Sequence, residues 1–206
     1  MRYVLLRKLA GGLRHRVMGD LQTIEFAAEL CSRMVHSNRN ADEIRGQLER
    51  ISTHTGEAAA SCRSLVEWLR PDNAARAAFG DLLEHCLRIA GDDWSLRGIT
   101  STVEASDECR NAIVSRHVAC ELMVAGVLTL VDMRPHGARL ELCAKLVDHE
   151  VVLVIRSEVG EDYGLPSLPP TYRQLDWDDV LVLASSHGVP CSCQRDANSI
   201  ALRFPR

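Results

Sequence analysis

The sequence predicts an α+β fold: an amino-terminal helical hairpin that forms a dimeric four-helix bundle, followed by an α/β sandwich with its helices on one face of a mixed sheet. Three observations predict it. First, Ile44, Leu48, Ile51, Thr55, Ala58, Cys62, Leu65 and Leu69 alternate spacings of four and three without a break, as on one seam of a long helix. Second, a similar seam precedes it in Leu13, Val17, Leu21, Ile24, Ala28, Cys31 and Val35. Third, the rhythm changes after Pro71, where runs of period two begin to alternate with helical ones. Pro71 therefore divides the chain into a dimerising hairpin, 1–71, and an α/β domain, 72–206.

The polar stretch HSNRNADE at 36–43 supplies the turn of the hairpin and an N-cap for its second helix. Two helices with one apolar stripe each cannot enclose a core, so a second copy is expected to complete the bundle. Beyond Pro71 a helix is expected over 74–90, a strand over 98–104 and a long helix over 110–133. ARLELCAKL and EVVLVIRS read as paired strands, followed by a Pro- and Gly-containing loop at 158–172 and a helix over 176–187. VPCSCQR and SIALRFP read as the closing strands.

Composition excludes several classes. The 206 residues carry a formal charge of −4 and contain no basic stripe, and the few aromatic residues are not interleaved with Lys or Arg, so no nucleic-acid partner is expected. The longest apolar run, LMVAGVLTLV at 122–131, is far short of the ~20 residues that cross a bilayer. Arg7 and Lys8 interrupt the amino terminus before a signal-like segment develops, so a cytoplasmic protein without a membrane partner is expected. Cys31, Cys62, Cys86, Cys120 and Cys143 sit among apolar neighbours and read as reduced core thiols. Cys191-Ser192-Cys193 has close spacing, with His187 nearby, but no second Cys/His pair completes a zinc site, and no metal is expected.

The stretch His15-Arg16-Val17-Met18-Gly19-Asp20-Leu21-Gln22-Thr23-Ile24 resembles the phosphoacceptor box, HRVKNNLQ followed by an apolar residue, of a group of sensor histidine kinases that includes the HWE kinases. His, Arg, Val, Leu and Gln are kept. Met18 stands for the Lys, and Gly19-Asp20 for the two Asn. The order of elements is similar to the whole kinase core, hairpin plus ATPase domain, and VLVLASSHGVPCSCQRDANSIALRFP is similar to the family's last helix and strands.

The resemblance implies an ATPase sandwich, yet a degenerate one. Where the family's long helix carries Asn side chains that help hold Mg²⁺ and the phosphates, this chain has Ala125-Gly126-Val127-Leu128-Thr129-Leu130-Val131. Where the family places a DxGxG motif, it has Ser157-Glu158-Val159-Gly160. VGEDYGLPSLPPTYRQLDW, with Pro166, Pro169 and Pro170, replaces the Gly-rich phosphate loop. Phosphoryl transfer from ATP rests on such positioning and charge-neutralising parts, so ATP-dependent kinase activity is not expected. An active kinase would need Glu121, Asp132 or Glu158 to hold Mg²⁺ instead.

A phosphoacceptor histidine must face solvent with a neutral ring nitrogen, and ordinary imidazoles are mostly neutral at neutral pH. His15 lies about 200° around the helix from both Leu13 and Val17, so it points away from their seam. Arg14 and Arg16 suit a phosphoryl group and an acidic partner pocket, while Gly11, Gly12 and Gly19 leave room for a docked domain. Asp20, five residues on, is out of register with His15 and reads as a solvated helix residue. His36, His54, His85, His117, His136, His149 and His187 read as surface or locally satisfied residues.

What the resemblance implies is a histidine phosphotransferase of a two-component phosphorelay. His15 would accept a phosphoryl group from one receiver aspartate and pass it to another, with Arg14 and Arg16 positioning it. The chain itself would need no cofactor, since Mg²⁺ would be supplied by the receiver. Its partners would be a second copy, response-regulator receiver domains and a hybrid histidine kinase. The alternative from another class is a non-enzymatic pseudokinase that sequesters a response regulator or a kinase.

Overall fold

The computed structural model describes residues 2–37, 40–69, 72–95, 98–133, 138–159 and 173–206. The chain divides into two compact units: one of Ala10–Arg70, the other of Met1–Leu9 together with Pro71–Arg206. The first nine residues, expected with the hairpin, thus group with the sheet-bearing unit.

The hairpin consists of α1, Arg2–His36, and α2, Ala41–Leu69. Asn40 begins α2, its side-chain oxygen accepting the Asp42 N–H at 3.1 Å. Leu13, Ala27, Ala58, Ser61 and Trp68 are buried, with Ile24, Cys31, Ile44, Ile51 and Leu65 half-buried beside them. The two seams read from the sequence do not hold as single stripes. Leu21, Val35 and Leu48 are 47%, 62% and 55% exposed, and Ala28, Thr55 and Cys62 are exposed too. The four-three spacing sums two adjacent stripes, and only one of them is buried within the chain.

The second unit carries a five-stranded sheet, β2 Thr100–Ala105, β4 Ala138–Val147, β5 Glu150–Val159, β6 Cys191–Gln194 and β7 Ser199–Pro205, in the order β2-β4-β5-β7-β6. β2 runs parallel to β4 and every other pair is antiparallel. β4 and β5 are joined through Asp148 and His149, both at positive φ, in a two-residue turn whose twist matches the strands. Alternation decides which face is covered. Leu140, Leu142, Leu153, Leu202 and Phe204 are buried, while their neighbours in sequence are half-buried or exposed.

Helices α3 Phe79–Ser95, α5 Arg116–Met133 and α6 Trp177–Ser186 supply the other layer, with α5 against β5 and β7 and between the other two. α5 is buried from Ala119 to Asp132 without interruption. Its approach to the sheet is close at Gly126, where a Cβ would stand 3.0 Å from Ile155 Cδ1. α6 opens with a capping box between Asp176 and Asp179.

Two helix boundaries differ from the sequence reading. Residues 76–78, expected in the first helix of this domain, form β1, Arg76–Ala78, paired antiparallel with β3, Ile113–Ser115. The long helix expected from residue 110 begins at Arg116, after α4, Asp107–Arg110, and β3. Three-residue strands carry too little periodicity to register against flanking helical patterns. Most of the loop expected at 158–172 lies outside the described residues, though β5 continues through Val159.

Among the thiols, Cys86, Cys109 and Cys120 are buried and Cys31 and Cys143 half-buried, but Cys62, read as a core thiol, is exposed. No helix among the described residues is long and apolar enough to cross a membrane.

Candidate functional site

His15 lies on α1 and is exposed, as is Arg14, whereas Arg16 is half-buried. Its neighbours Leu13 and Val17 are buried and half-buried, in keeping with a ring turned away from the hairpin seam. At 100° per residue, Gln22 and Phe26 fall within about 20° of His15 and Met18 within about 60°. Met18 is 50% exposed and Phe26 62%, and Gln22 is exposed as well. A Cβ added at Gly19 would meet nothing within 4 Å, so the helix surface beside His15 is low. An imidazole and an open stripe with apolar side chains thus share one helix face, with a guanidinium on either flank. This face can present a nucleophile to a docked domain.

Asp20 corrects the sequence reading. It is buried, 8% exposed, rather than solvated, and its Oδ1 lies 3.0 Å from His54 Nδ1. Glu57 Oε2 approaches the same nitrogen at 3.2 Å. Five residues past His15 is about 140° around α1, which turns the carboxylate into the hairpin, where α2 answers it with a histidine. The buried Asp20 and the half-buried His54 therefore form a polar pair joining α1 to α2.

In the sheet-bearing unit, the described residues do not fit what a nucleotide and Mg²⁺ would need. Ala125, Val127, Leu128 and Leu130 are buried in apolar packing, so α5 turns no open polar face to a ligand. The three carboxylates that could replace the missing groups are not brought together. Glu121 lies against Arg2 Nε at 2.9 Å and His187 Nε2 at 2.9 Å. Asp132 is eleven residues further along the same helix, about 16 Å away, where it pairs with Lys8 and accepts the Leu175 N–H at 2.8 Å. Glu158 is exposed at the end of β5, paired in register with Arg139. The segment that takes the place of the phosphate loop, with Pro166, Pro169 and Pro170, lies outside the described residues.

Sequence reasoning also missed a cluster in the sheet-bearing unit. His117 and His187, read as surface or locally satisfied, converge on the buried Glu121. Spacing of four on α5 was the available signal for His117 and Glu121; nothing local pointed to His187.

No family model matches the sequence. No curated protein matches it either. Solved structures similar to it include the catalytic domain of histidine kinase ThkA, at 9% identity and a TM-score of 0.48, covering 64% of this chain and 95% of that one. A bacterial phosphotransferase is similar at 16% identity and a TM-score of 0.44, covering 97% of this chain and 95% of that one. The blue-light activated histidine kinase EL346 of Erythrobacter litoralis is similar at 15% identity and a TM-score of 0.47, covering 97% of this chain and 62% of its own. At these identities and TM-scores the likeness says nothing of what this chain binds or transfers.

Proposed function

We propose that the chain is a histidine phosphotransferase of a two-component phosphorelay, with His15 as the phosphoacceptor. The observation that carries this reading is the exposed His15 on a helix face that also holds Met18, Gln22 and Phe26, away from the buried seam, with Arg14 and Arg16 on its two flanks. A ring nitrogen of His15 attacks the phosphorus of a receiver's aspartyl phosphate. The nitrogen–phosphorus bond forms as the bond to the carboxylate oxygen breaks, and the electron pair leaves with the carboxylate. The reverse step delivers the group to a second receiver. Arg14 and Arg16 offset charge on the phosphoryl oxygens, and Met18 and Phe26 give the receiver an apolar footing. Mg²⁺ belongs to the receiver in this scheme.

The lack of a fitting nucleotide site among the described residues supports transfer between proteins over autophosphorylation from ATP. The hairpin acts as a homodimer, its exposed stripe of Leu21, Val35, Leu48 and Val66 closing a four-helix bundle with a second copy. The test is to incubate the purified protein and its His15→Ala variant with labelled phospho-receivers from the same cell. Acid-labile label on the wild type and none on the variant is the expected result. Stable complexes without label on either would replace this reading with sequestration of the receiver by a pseudokinase.

A further inference from the structure

We propose that His117, Glu121 and His187 form a binding site for a zinc-class divalent transition-metal ion, independent of the phosphorelay reading. The three donor atoms lie within 4.8 Å of one another. Glu121 Oε2 stands 2.9 Å from His187 Nε2 and 3.7 Å from His117 Nε2. Ligand bonds of ~2.0–2.1 Å in a tetrahedron require donor atoms ~3.3 Å apart, so the two distances straddle the needed edge.

The local structure explains why these side chains converge. His117 and Glu121 are one turn apart on α5 and therefore share a face. His187 is the C-cap of α6, fixed by the turn that follows it. Gly188 takes φ +64°, its N–H donates to Ser185 O at 3.1 Å, and the Val189 N–H donates to Ala184 O at 2.9 Å, the pair of bonds of a Schellman end. The donor set has three ligands of nitrogen and carboxylate type, which leaves a fourth position for water or a partner's side chain, and two imidazoles favour zinc-class ions over Mg²⁺ or Ca²⁺.

Two further observations set this cluster apart from an ordinary surface ion pair. The Glu121 side chain is only 3% exposed, and its Oε1 is held by the Arg2 guanidinium at 2.9 Å. Arg2 thereby leaves Oε2 as the metal-facing oxygen and orients the carboxylate, as an outer partner of a metal ligand does. The rings of His117 and His187 meet edge to face at 5.5 Å, so both can aim a nitrogen at the same point without clashing.

The experiment uses the full chain, stripped with a chelator and titrated with Zn²⁺ under equilibrium dialysis, with thermal unfolding followed in parallel. The wild type should take up one Zn²⁺ per chain with a rise in Tm, and Co²⁺ in its place should give the intense visible bands of a tetrahedral site. His117→Gln with His187→Gln keeps an amide to hydrogen-bond Glu121 but should lose both effects. If that double variant fails to fold, His187→Gln alone should weaken binding about tenfold or more. His54→Gln and a Cys191→Ser, Cys193→Ser variant should bind unchanged. Absence of stoichiometric uptake by the wild type, uptake that survives loss of both histidines, or uptake abolished by the cysteine or His54 changes would each overturn the proposal.

Discussion

Cys191 and Cys193 stand two residues apart on β6, so their side chains share one side of the strand, and both are half-buried. Cys191 donates a hydrogen bond to Cys193, and that bond, with Arg195 assisting against burial, holds the Cys193 thiol below the ordinary thiol range. The same bond pushes Cys191 well above it. A lowered pKa leaves more thiolate at neutral pH, and the thiolate is the reacting form. Cys193 should therefore be alkylated by limiting iodoacetamide at pH 7 ahead of Cys191, by about threefold or more, with mass spectrometry locating the label. Cys191→Ala should slow that labelling and move the pH–rate midpoint upward, because the donor is lost. Labelling of Cys193 that is no faster than that of Cys191, or is unmoved by Cys191→Ala, would contradict the pair. At this scale the sequence was a mixed guide. The exposure of His15 could be read from its angle to Leu13 and Val17, since both sit on the same helix. The burial of Asp20 could not, because its partner His54 arrives from another helix 34 residues away.

α5 is the element that decides what the sheet-bearing unit can bind. Its sequence is apolar on all sides between Leu122 and Val131 except for Thr129, and the structure buries every one of those positions. Restoring a carboxamide should therefore not restore a nucleotide site. Ala125 is fully buried, so Ala125→Asn would place an unsatisfied amide in packed surroundings at a cost of about 1–3 kcal/mol. The expected outcome is a lower Tm with no gain in ATP binding, measured by calorimetric titration. A variant of undiminished stability that binds ATP would show an open pocket beside α5 after all. Elements of this length were legible because a long helix or a ten-residue strand repeats its period several times. β1 and β3 were not. Each has three residues, and their pairing joins segments that two helices and a strand separate in the chain. The start of α5 was misplaced for the same reason, since β3 abuts Arg116 directly.

At the scale of the whole molecule, the sequence's clearest pattern carried two meanings at once. The four-three seam of α2 contains Ile44, Ile51, Ala58 and Leu65, which are buried or half-buried, interleaved with Leu48, Thr55 and Cys62, which are exposed. Relative to Ala58, Leu48 and Val66 both lie about 80° around the helix, and Thr55 and Cys62 lie about 60° and 40° around on the same side. α1 repeats the arrangement with Leu21, Ala28 and Val35. Two helices thus each carry an apolar stripe that their own hairpin leaves open, the arrangement expected when a second hairpin supplies the missing half of a bundle. Leu48 and Val66 are 55% and 56% exposed in the single chain, so Leu48→Glu with Val66→Glu should leave the hairpin folded. In a dimer the same two carboxylates would be desolvated without partners, which disfavours association strongly. Sedimentation equilibrium should find the wild type dimeric at micromolar concentration and the double variant monomeric, with equal helix content by circular dichroism. A wild type that stays monomeric across that range, or a variant that still pairs, would mean that the exposed stripe meets something other than a second copy of this chain.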